Sequence, residues 1–225
     1  MKQESIEDLI QQTEIRYLAV EGVIGAGKTS LCRMLGDTLG ARLVTERFED
    51  NPFLKDFYQD PDRFAFQTQI FFLLARYKQQ RDLLQTDLFQ RCVVTDYIFE
   101  KDKIFAYLNL QDDELKLYEA LVNSMEHNIP TPDLVIYLQS SVQKLLQTIR
   151  KRGREIEANI TEDYIKDLNE AYNYFFFRYK TTPLLIVNAS EIDFVNNDEQ
   201  YQDLLREIFR TNRAAVEYYN PRRGG

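Results

Sequence analysis

The chain has few of the residues that build metal centres and disulfide frameworks. Its 225 residues include one histidine and two cysteines, Cys32 and Cys92. So few histidine and cysteine side chains leave almost no material for a zinc site. We interpret both cysteines as small buried residues rather than as a disulfide or a metal-binding pair.

Long apolar runs and an excess of positive charge are also missing. The longest strongly apolar run covers residues 70–75, which is too short to cross a bilayer. Residues 1–12 are polar and charged, unlike a secretory signal. The net charge of −8 argues against a broad surface for nucleic acid. We therefore expect a cytoplasmic protein that binds neither nucleic acid nor a membrane.

The sequence does contain a regular alternation of apolar runs and helical patterns. With 44% hydrophobic residues, the chain can build a full core. The longest predicted helix covers residues 61–84, and strands are predicted at 17–20, 42–45, 92–95, 134–138 and 184–187. This alternation predicts an α/β fold with a five-stranded parallel sheet flanked by helices. We predict one domain over 15–213, an N-terminal extension over 1–14 and a flexible tail over 214–225.

Residues 22–29 form the most informative stretch. Their sequence fits G-x-x-x-x-G-K-[ST], which cradles nucleotide phosphates, and it lies between a predicted strand and a predicted helix. Glycines let backbone N–H groups point at a polyphosphate, Lys28 can reach the terminal phosphates, and the Thr29 hydroxyl can bind Mg²⁺. The alternative is a chance glycine turn before a helix. The residues expected to contact ATP are Gly22, Val23, Ile24, Gly25, Ala26, Gly27, Lys28, Thr29 and Ser30.

Two acidic residues end predicted strands at this same edge of the sheet. Glu46 is placed to accept a proton from an attacking hydroxyl, although a glutamate there is about as often a surface residue. Asp96 is placed to help hold magnesium, and the alternative is a cap for the next helix. The chain lacks the N-K-x-D motif of GTPases and is too short for a large ATPase motor. A small kinase remains.

Candidate recognition residues lie on the long predicted helix. Gln69 and Arg76 are seven residues apart and therefore share a face. A glutamine amide donates and accepts in one plane, which suits the edge of a nucleobase. Phe105 is one of several aromatic residues that could stack on a base, although packing in the core is their more common role.

A cluster of positive charge precedes the next predicted helix. Residues 150–154 hold four cations in five positions, including Arg152 and Arg154. A lid of this kind could close over phosphates and stabilise charge on the transferred group. The alternative is a solvated helix end, where cations suit the helix dipole.

Taken together, these motifs resemble the deoxyribonucleoside kinases, in particular the bacterial deoxyadenosine/deoxyguanosine kinase branch. The resemblance covers residues 15–189 and rests on the segments 21–29, 51–58, 66–78, 96–97 and 152–155. It implies a P-loop kinase fold with a lid segment, and a homodimer. It also implies that ATP and Mg²⁺ are used to phosphorylate the 5′-hydroxyl of a deoxynucleoside, deoxyadenosine first and deoxyguanosine second.

The resemblance further implies roles for single residues. Glu46 matches the family's base for the 5′-hydroxyl, and Arg152 and Arg154 match its lid arginines, which together with Lys28 of the phosphate loop complete the expected catalytic set. Tyr58 and Glu157 match the pair that holds the 3′-hydroxyl. Gln69 matches the base-reading glutamine, Arg76 and Asp102 match an Arg–Asp pair beside the base, and Phe105 is near the aromatic residue that stacks on it. Asp96 matches the acid of the family's [D/E]-R-S motif, which with Thr29 of the phosphate loop makes the expected metal site.

The sequence departs from the family pattern at one place. The family motif [D/E]-R-S reads Asp96-Tyr97-Ile98 here, so a cation near the 5′ position is missing. Either the lid arginines compensate or the rate is lower. Two other functions share the phosphate loop: a nucleoside monophosphate kinase of the thymidylate type and a non-catalytic nucleotide-binding regulatory module. The acceptor phosphate of the former needs cations where this chain has Glu46 and Tyr97.

Overall fold

A computed structural model describes residues 5–83 and 92–221 of the chain. The strands of this part are β1 (Tyr17–Gly22), β2 (Arg42–Val44), β3 (Val93–Thr95), β4 (Leu134–Gln139), β5 (Leu184–Asn188) and β6 (Val216–Tyr219). The α-helices are α1 (Ile6–Gln12), α2 (Lys28–Leu39), α3 (Leu54–Phe57), α4 (Pro61–Leu83), α5 (Lys101–Asn109), α6 (Asp112–Met125), α7 (Val142–Arg152), α8 (Glu162–Arg178) and α9 (Asp198–Ile208). The predicted end of the longest helix at Leu84 lies outside the described residues.

The strands form one parallel sheet in the order β2-β3-β1-β4-β5-β6. The predicted α/β fold with a parallel sheet between helices is therefore confirmed. The prediction of five strands is wrong, because a sixth strand pairs with β5.

The sixth strand comes from the segment predicted to be a flexible tail. Residues along β6 alternate between exposed and half-buried, so the strand has no apolar run to reveal it. Glu217 accepts hydrogen bonds from Arg210, from Arg213 at 2.6 Å and from the Ala214 amide at 2.9 Å. These charged contacts stabilise an edge strand that a search for apolar runs does not detect. Residues 222–225 of the predicted tail lie outside the described residues.

The central strands are buried on both faces. Most side chains of β1, β4 and β5 are at most 1% exposed, and helices cover both sides of the sheet. Burial on two faces explains why these strands read as continuous apolar runs rather than as alternating patterns. In the described part of the chain, no helix has both the length and the apolar character needed to cross a membrane.

The strand order reverses at β1, with β3 on one side and β4 on the other. In sheets of this type, ligands bind beyond the carboxyl ends of the strands at such a reversal. The chain leaves β1 at Gly22, and Glu46 and Asp96 follow shortly after β2 and β3. The topology therefore brings all three to one end of the molecule.

Candidate active site

A cavity of about 430 Å³ opens at the carboxyl ends of these strands. The loop between β1 and α2 forms one end, and α4, α5 and the segment after α7 form the walls. The predicted site residues on its walls are Ile24, Gly25, Gly27, Lys28, Thr29, Ser30, Glu46, Tyr58, Gln69, Arg76, Asp96, Phe105, Arg152, Arg154 and Glu157. Of the other predicted residues, Gly22, Val23 and Ala26 are buried within the loop and Asp102 lies behind Arg76.

The loop over residues 22–29 wraps tightly against α7. Gly25 has φ +90°, and a Cβ there would lie 2.8 Å from the carbonyl oxygen of Leu145, so only glycine fits. The Lys28 ammonium donates to the carbonyl oxygens of Gly22 at 2.6 Å and Val23 at 3.1 Å. Helix α2 begins at Lys28, so its N-terminus faces the cavity. This arrangement of backbone amides, helix N-terminus and ammonium group suits a polyphosphate.

Thr29 and Asp96 meet at the base of the loop. The Thr29 hydroxyl donates to Asp96 Oδ2 at 2.9 Å, and the other carboxylate oxygen accepts from the backbone amide of Glu46 at 2.7 Å. Asp96 does not cap α5, which begins five residues later. A hydroxyl and a carboxylate beside a phosphate-binding loop fit Mg²⁺, which takes oxygen ligands and shares phosphate oxygens with its substrate. No cluster of three or more histidine, cysteine or acidic residues suited to a metal ion occurs among the described residues.

Glu46 lies between two cations. Arg76 donates to Glu46 Oε1 from Nε at 2.8 Å and from Nη2 at 2.5 Å. Lys101 donates to Glu46 Oε2 at 2.7 Å. Arg76 and Lys101 are both buried, so these are charge-assisted hydrogen bonds shielded from water.

The same charges set the ionisation of Glu46 and Lys28. Burial raises the pKa of Glu46, but the positive charges of Arg76 and Lys101 outweigh burial, and the pKa falls well below its usual range. Burial, followed by the positive charge of Lys101, lowers the pKa of Lys28 to about 8. Glu46 is therefore ionised and can accept a hydrogen bond or a proton. The contacts with Arg76 and Lys101 fix the orientation of its carboxylate.

Helix α4 buries polar side chains on its inner face, and these residues form the far wall of the cavity. Arg76 forms an ion pair with Asp102, whose second oxygen accepts from the Tyr118 hydroxyl at 2.9 Å. Gln69 is 4% exposed, and its amide donates to the carbonyl oxygen of Asp102 at 2.8 Å, whereas Gln67 is exposed. Thr68 is also buried here, and its hydroxyl has no hydrogen-bond partner among the described residues. These groups give the wall donors and acceptors for a planar polar ligand.

The segment after α7 closes one side of the cavity. Gly153 ends the helix with φ +58°, and a short 3-10 turn follows over Glu155–Glu157. Arg152 forms an ion pair with Glu157, and its Nε–Oε2 distance is 2.8 Å. Arg154 Nη1 lies 3.6 Å from the same carboxylate, and its guanidinium lies 4.5 Å from the ring centre of Phe48. The lid arginines therefore face the cavity instead of forming a fully solvated helix end.

The aromatic residues divide between the cavity and the core. Tyr58 is half-buried on the cavity wall, 6.2 Å from Tyr164 between ring centres. Phe105 lines the cavity and packs edge-on against Tyr172 at 6.1 Å. Tyr97 is fully buried, and its hydroxyl donates to Gln79 at 3.0 Å. The residue at the position of the family's arginine therefore belongs to the core.

Two residues important to this geometry were not singled out from the sequence. Lys101 begins α5, a helix that the sequence analysis does not predict. Glu21 is fully buried, and its carboxylate accepts from the amides of Gly22 at 3.0 Å and Ile98 at 2.9 Å. Glu21 thereby ties the start of the phosphate loop to the turn after β3. Its place in an otherwise apolar strand is a signal that could have identified it.

Comparisons with known proteins agree on one family. A family model described as "Deoxynucleoside kinase" matches residues 18–212. Deoxyguanosine kinase from Bacillus subtilis is 33% identical over 197 residues, which is 85% of this chain and 95% of that protein. Deoxyadenosine kinase from Dictyostelium discoideum is 34% identical over 199 residues, which is 85% of this chain and 78% of that protein. The structure of deoxyadenosine kinase from M. mycoides with bound dATP has a TM-score of 0.74 at 27% identity, covering 86% of this chain and 98% of that one.

Proposed function

Since the chain belongs to the deoxynucleoside kinase family and is a phosphotransferase, we propose that it transfers the γ-phosphoryl group of ATP to the 5′-hydroxyl of a purine deoxynucleoside. Deoxyadenosine is the first substrate in this proposal and deoxyguanosine the second. The observation that carries it is a single cavity with three parts. An ionised carboxylate, Glu46, lies between a phosphate loop and a polar wall suited to a nucleobase.

In the proposed reaction the 5′-oxygen attacks the γ-phosphorus, and the bond from this phosphorus to the β,γ-bridging oxygen breaks. Glu46 takes the hydroxyl proton. Lys28, Arg152 and Arg154 neutralise the phosphoryl oxygens. Phosphoryl transfer passes through a loose transition state, so positioning and charge stabilisation contribute more than proton removal.

Thr29 and Asp96 would hold Mg²⁺, whose charge would offset that of the transferred phosphates. Tyr58 and Glu157 would bind the 3′-hydroxyl at the lid end of the cavity. Phe105 would pack against the base, while Gln69, Arg76 and Asp102 would read its edge. The preference for purines rests on the names of the relatives, which include deoxyguanosine and deoxyadenosine kinases.

We also propose that the active form is a cytoplasmic homodimer. Helices α4, α5 and α6 contact one another, and each exposes a large apolar side chain: Leu74, Tyr107 and Leu117. Apolar groups on neighbouring helices suit burial against a second copy. Light scattering should give twice the chain mass of 26.7 kDa, and a monomer mass at assay concentration would contradict the dimer.

The function is tested with ATP, MgCl₂ and each of the four common deoxynucleosides. Deoxyadenosine and then deoxyguanosine should give the highest kcat/KM, with a 5′-monophosphate as product. Nucleoside monophosphates serve as parallel acceptors. Transfer to monophosphates alone would indicate a thymidylate-type kinase, and ATP binding without transfer to any acceptor would indicate a regulatory module.

Replacing Gln69 with alanine should raise the Kd for the nucleoside about 10- to 100-fold, since one or two hydrogen bonds to the base are lost. The Kd for ATP should stay within about threefold, because Gln69 lies on the α4 wall rather than in the phosphate loop. Calorimetric titration of each ligand measures both values. Gln67→Ala, an exposed change two residues earlier, is the matched control. Unchanged nucleoside affinity in Gln69→Ala would place the base elsewhere.

A further inference from the structure

The turn after Asp96 supplies no charged side chain to the cavity at the two positions where the family motif has arginine and serine. Tyr97 is buried against α4, and the backbone amide of Ile98 donates to Glu21. The turn itself therefore brings no positive charge to this end of the cavity.

Lys101 is the next cation along the chain, and it lines the cavity. It follows Ile98 by three residues, begins α5 and is 4% exposed. Its ammonium lies 2.7 Å from Glu46 Oε2 and 5.8 Å from the ring centre of Phe105. Lys101 therefore stands between the carboxylate and the base-binding end of the same cavity.

Several effects oppose a charged side chain at the location of Lys101, and Glu46 is the carboxylate to which it donates a hydrogen bond. A helix N-terminus carries partial positive charge, so a cation in the first turn of α5 is repelled. Burial removes most of the water that would solvate the ammonium. Its charge also opposes that of Lys28. The buried Glu21 carboxylate also attracts Lys101. Glu46 is the carboxylate in direct contact, which indicates that the ammonium is oriented for Glu46.

The two cations hold different oxygens of the carboxylate. Arg76 binds Oε1 and is shared with Asp102, whereas Lys101 binds Oε2. An ammonium makes a point contact and occupies one lone pair of Oε2, which leaves the other lone pair for a proton. A guanidinium has more N–H donors and would occupy more of the lone-pair space of Oε2.

We propose that Lys101 is a positioning residue that replaces the missing arginine of the Asp96-Tyr97-Ile98 turn. This inference rests on the proposed function. Lys101 holds Oε2 of Glu46 toward the acceptor hydroxyl, so that the carboxylate can take the proton as the 5′-oxygen attacks the γ-phosphorus. Its effect is on kcat and passes through Glu46.

The test compares Lys101→Met, Lys101→Arg and the control Lys103→Met in the kinase assay. Lys103 lies on the same helix and forms an ion pair with Glu126, so the control removes an equal charge from outside the cavity. Lys101→Met should lower kcat about 100-fold, the effect of a small misplacement of a reacting group, with KM for ATP within about threefold. Lys101→Arg should recover kcat to within about tenfold of the parent, and Lys103→Met should match the parent. If Lys101→Met does not fold, Lys101→Gln takes its place.

A second comparison tests whether Lys101 acts through Glu46. In the Glu46→Gln background, Lys101→Met should change kcat less than about threefold, because residues that act as a unit are not additive. A further loss of about 100-fold in that background, or parent-like kcat in Lys101→Met, would overturn the proposal. The parent enzyme is assayed alongside. If the parent phosphorylates no deoxynucleoside, the proposed function itself fails, and that result is distinct from either outcome for Lys101.

Discussion

Replacing Glu46 with glutamine should lower kcat for deoxyadenosine about 100- to 1000-fold, the range for losing a general base. The amide keeps the shape of the side chain but cannot accept the hydroxyl proton at neutral pH. The Kd for the nucleoside should change less than about fivefold, because Gln69 and the lid residues hold the base and the sugar. Steady-state kinetics and calorimetric titration measure the two effects separately.

Two controls make this result specific. Asp50→Asn makes the same acid-to-amide change at an exposed residue four positions later and should leave kcat unchanged. Since Glu46→Gln also leaves the buried Lys101 without its carboxylate, thermal unfolding must show that the variant is folded. Turnover equal to that of the parent would remove Glu46 as the base.

The sequence predicts most of the fold because apolar runs mark the central strands. The predicted strand 134–138 and the observed β4 (Leu134–Gln139) agree closely, because almost every residue of this strand is buried and the strand therefore forms one apolar run. The short edge strand β6 escapes this reasoning. Exposed and half-buried residues alternate along β6, and this pattern resembles that of a surface loop. The stability of the strand depends on pairing with β5 and on the contacts of Glu217. Such non-local contacts leave no local pattern in the sequence.

The candidate site was partly predictable for a similar reason. Strand ends converge at one edge of a parallel sheet, so Glu46, Asp96 and Thr29 could be expected to meet before any geometry was known. The pairing of Arg76 with Glu46 could not, because it depends on how α4 crosses the cavity. Lys101 could not be placed either, because no side-chain cap marks the start of α5.

Replacing Arg76 with methionine should give the largest loss of stability among these variants, about 3–5 kcal/mol in the free energy of unfolding. Arg76 is 3% exposed and is the cation that pairs with Asp102, which is 1% exposed. Methionine fills the space beside Phe72 but leaves the aspartate charge buried without a cation, while the Tyr118 hydroxyl still donates to it. For a chain of this size the midpoint of thermal unfolding should fall by about 6–20 °C.

Two further variants separate charge from packing. Arg76→Lys should recover little of the stability, because a single ammonium cannot bond Glu46 and Asp102 as the guanidinium does. Arg76→Met combined with Asp102→Asn should recover about half of the lost stability, since no unpaired aspartate then remains and Glu46 keeps Lys101 as its partner. Unfolding curves of the four proteins measure these differences. If the double variant is no more stable than Arg76→Met, then Arg76 stabilises the fold through packing. The unpaired Asp102 charge would then not account for the lost free energy of unfolding.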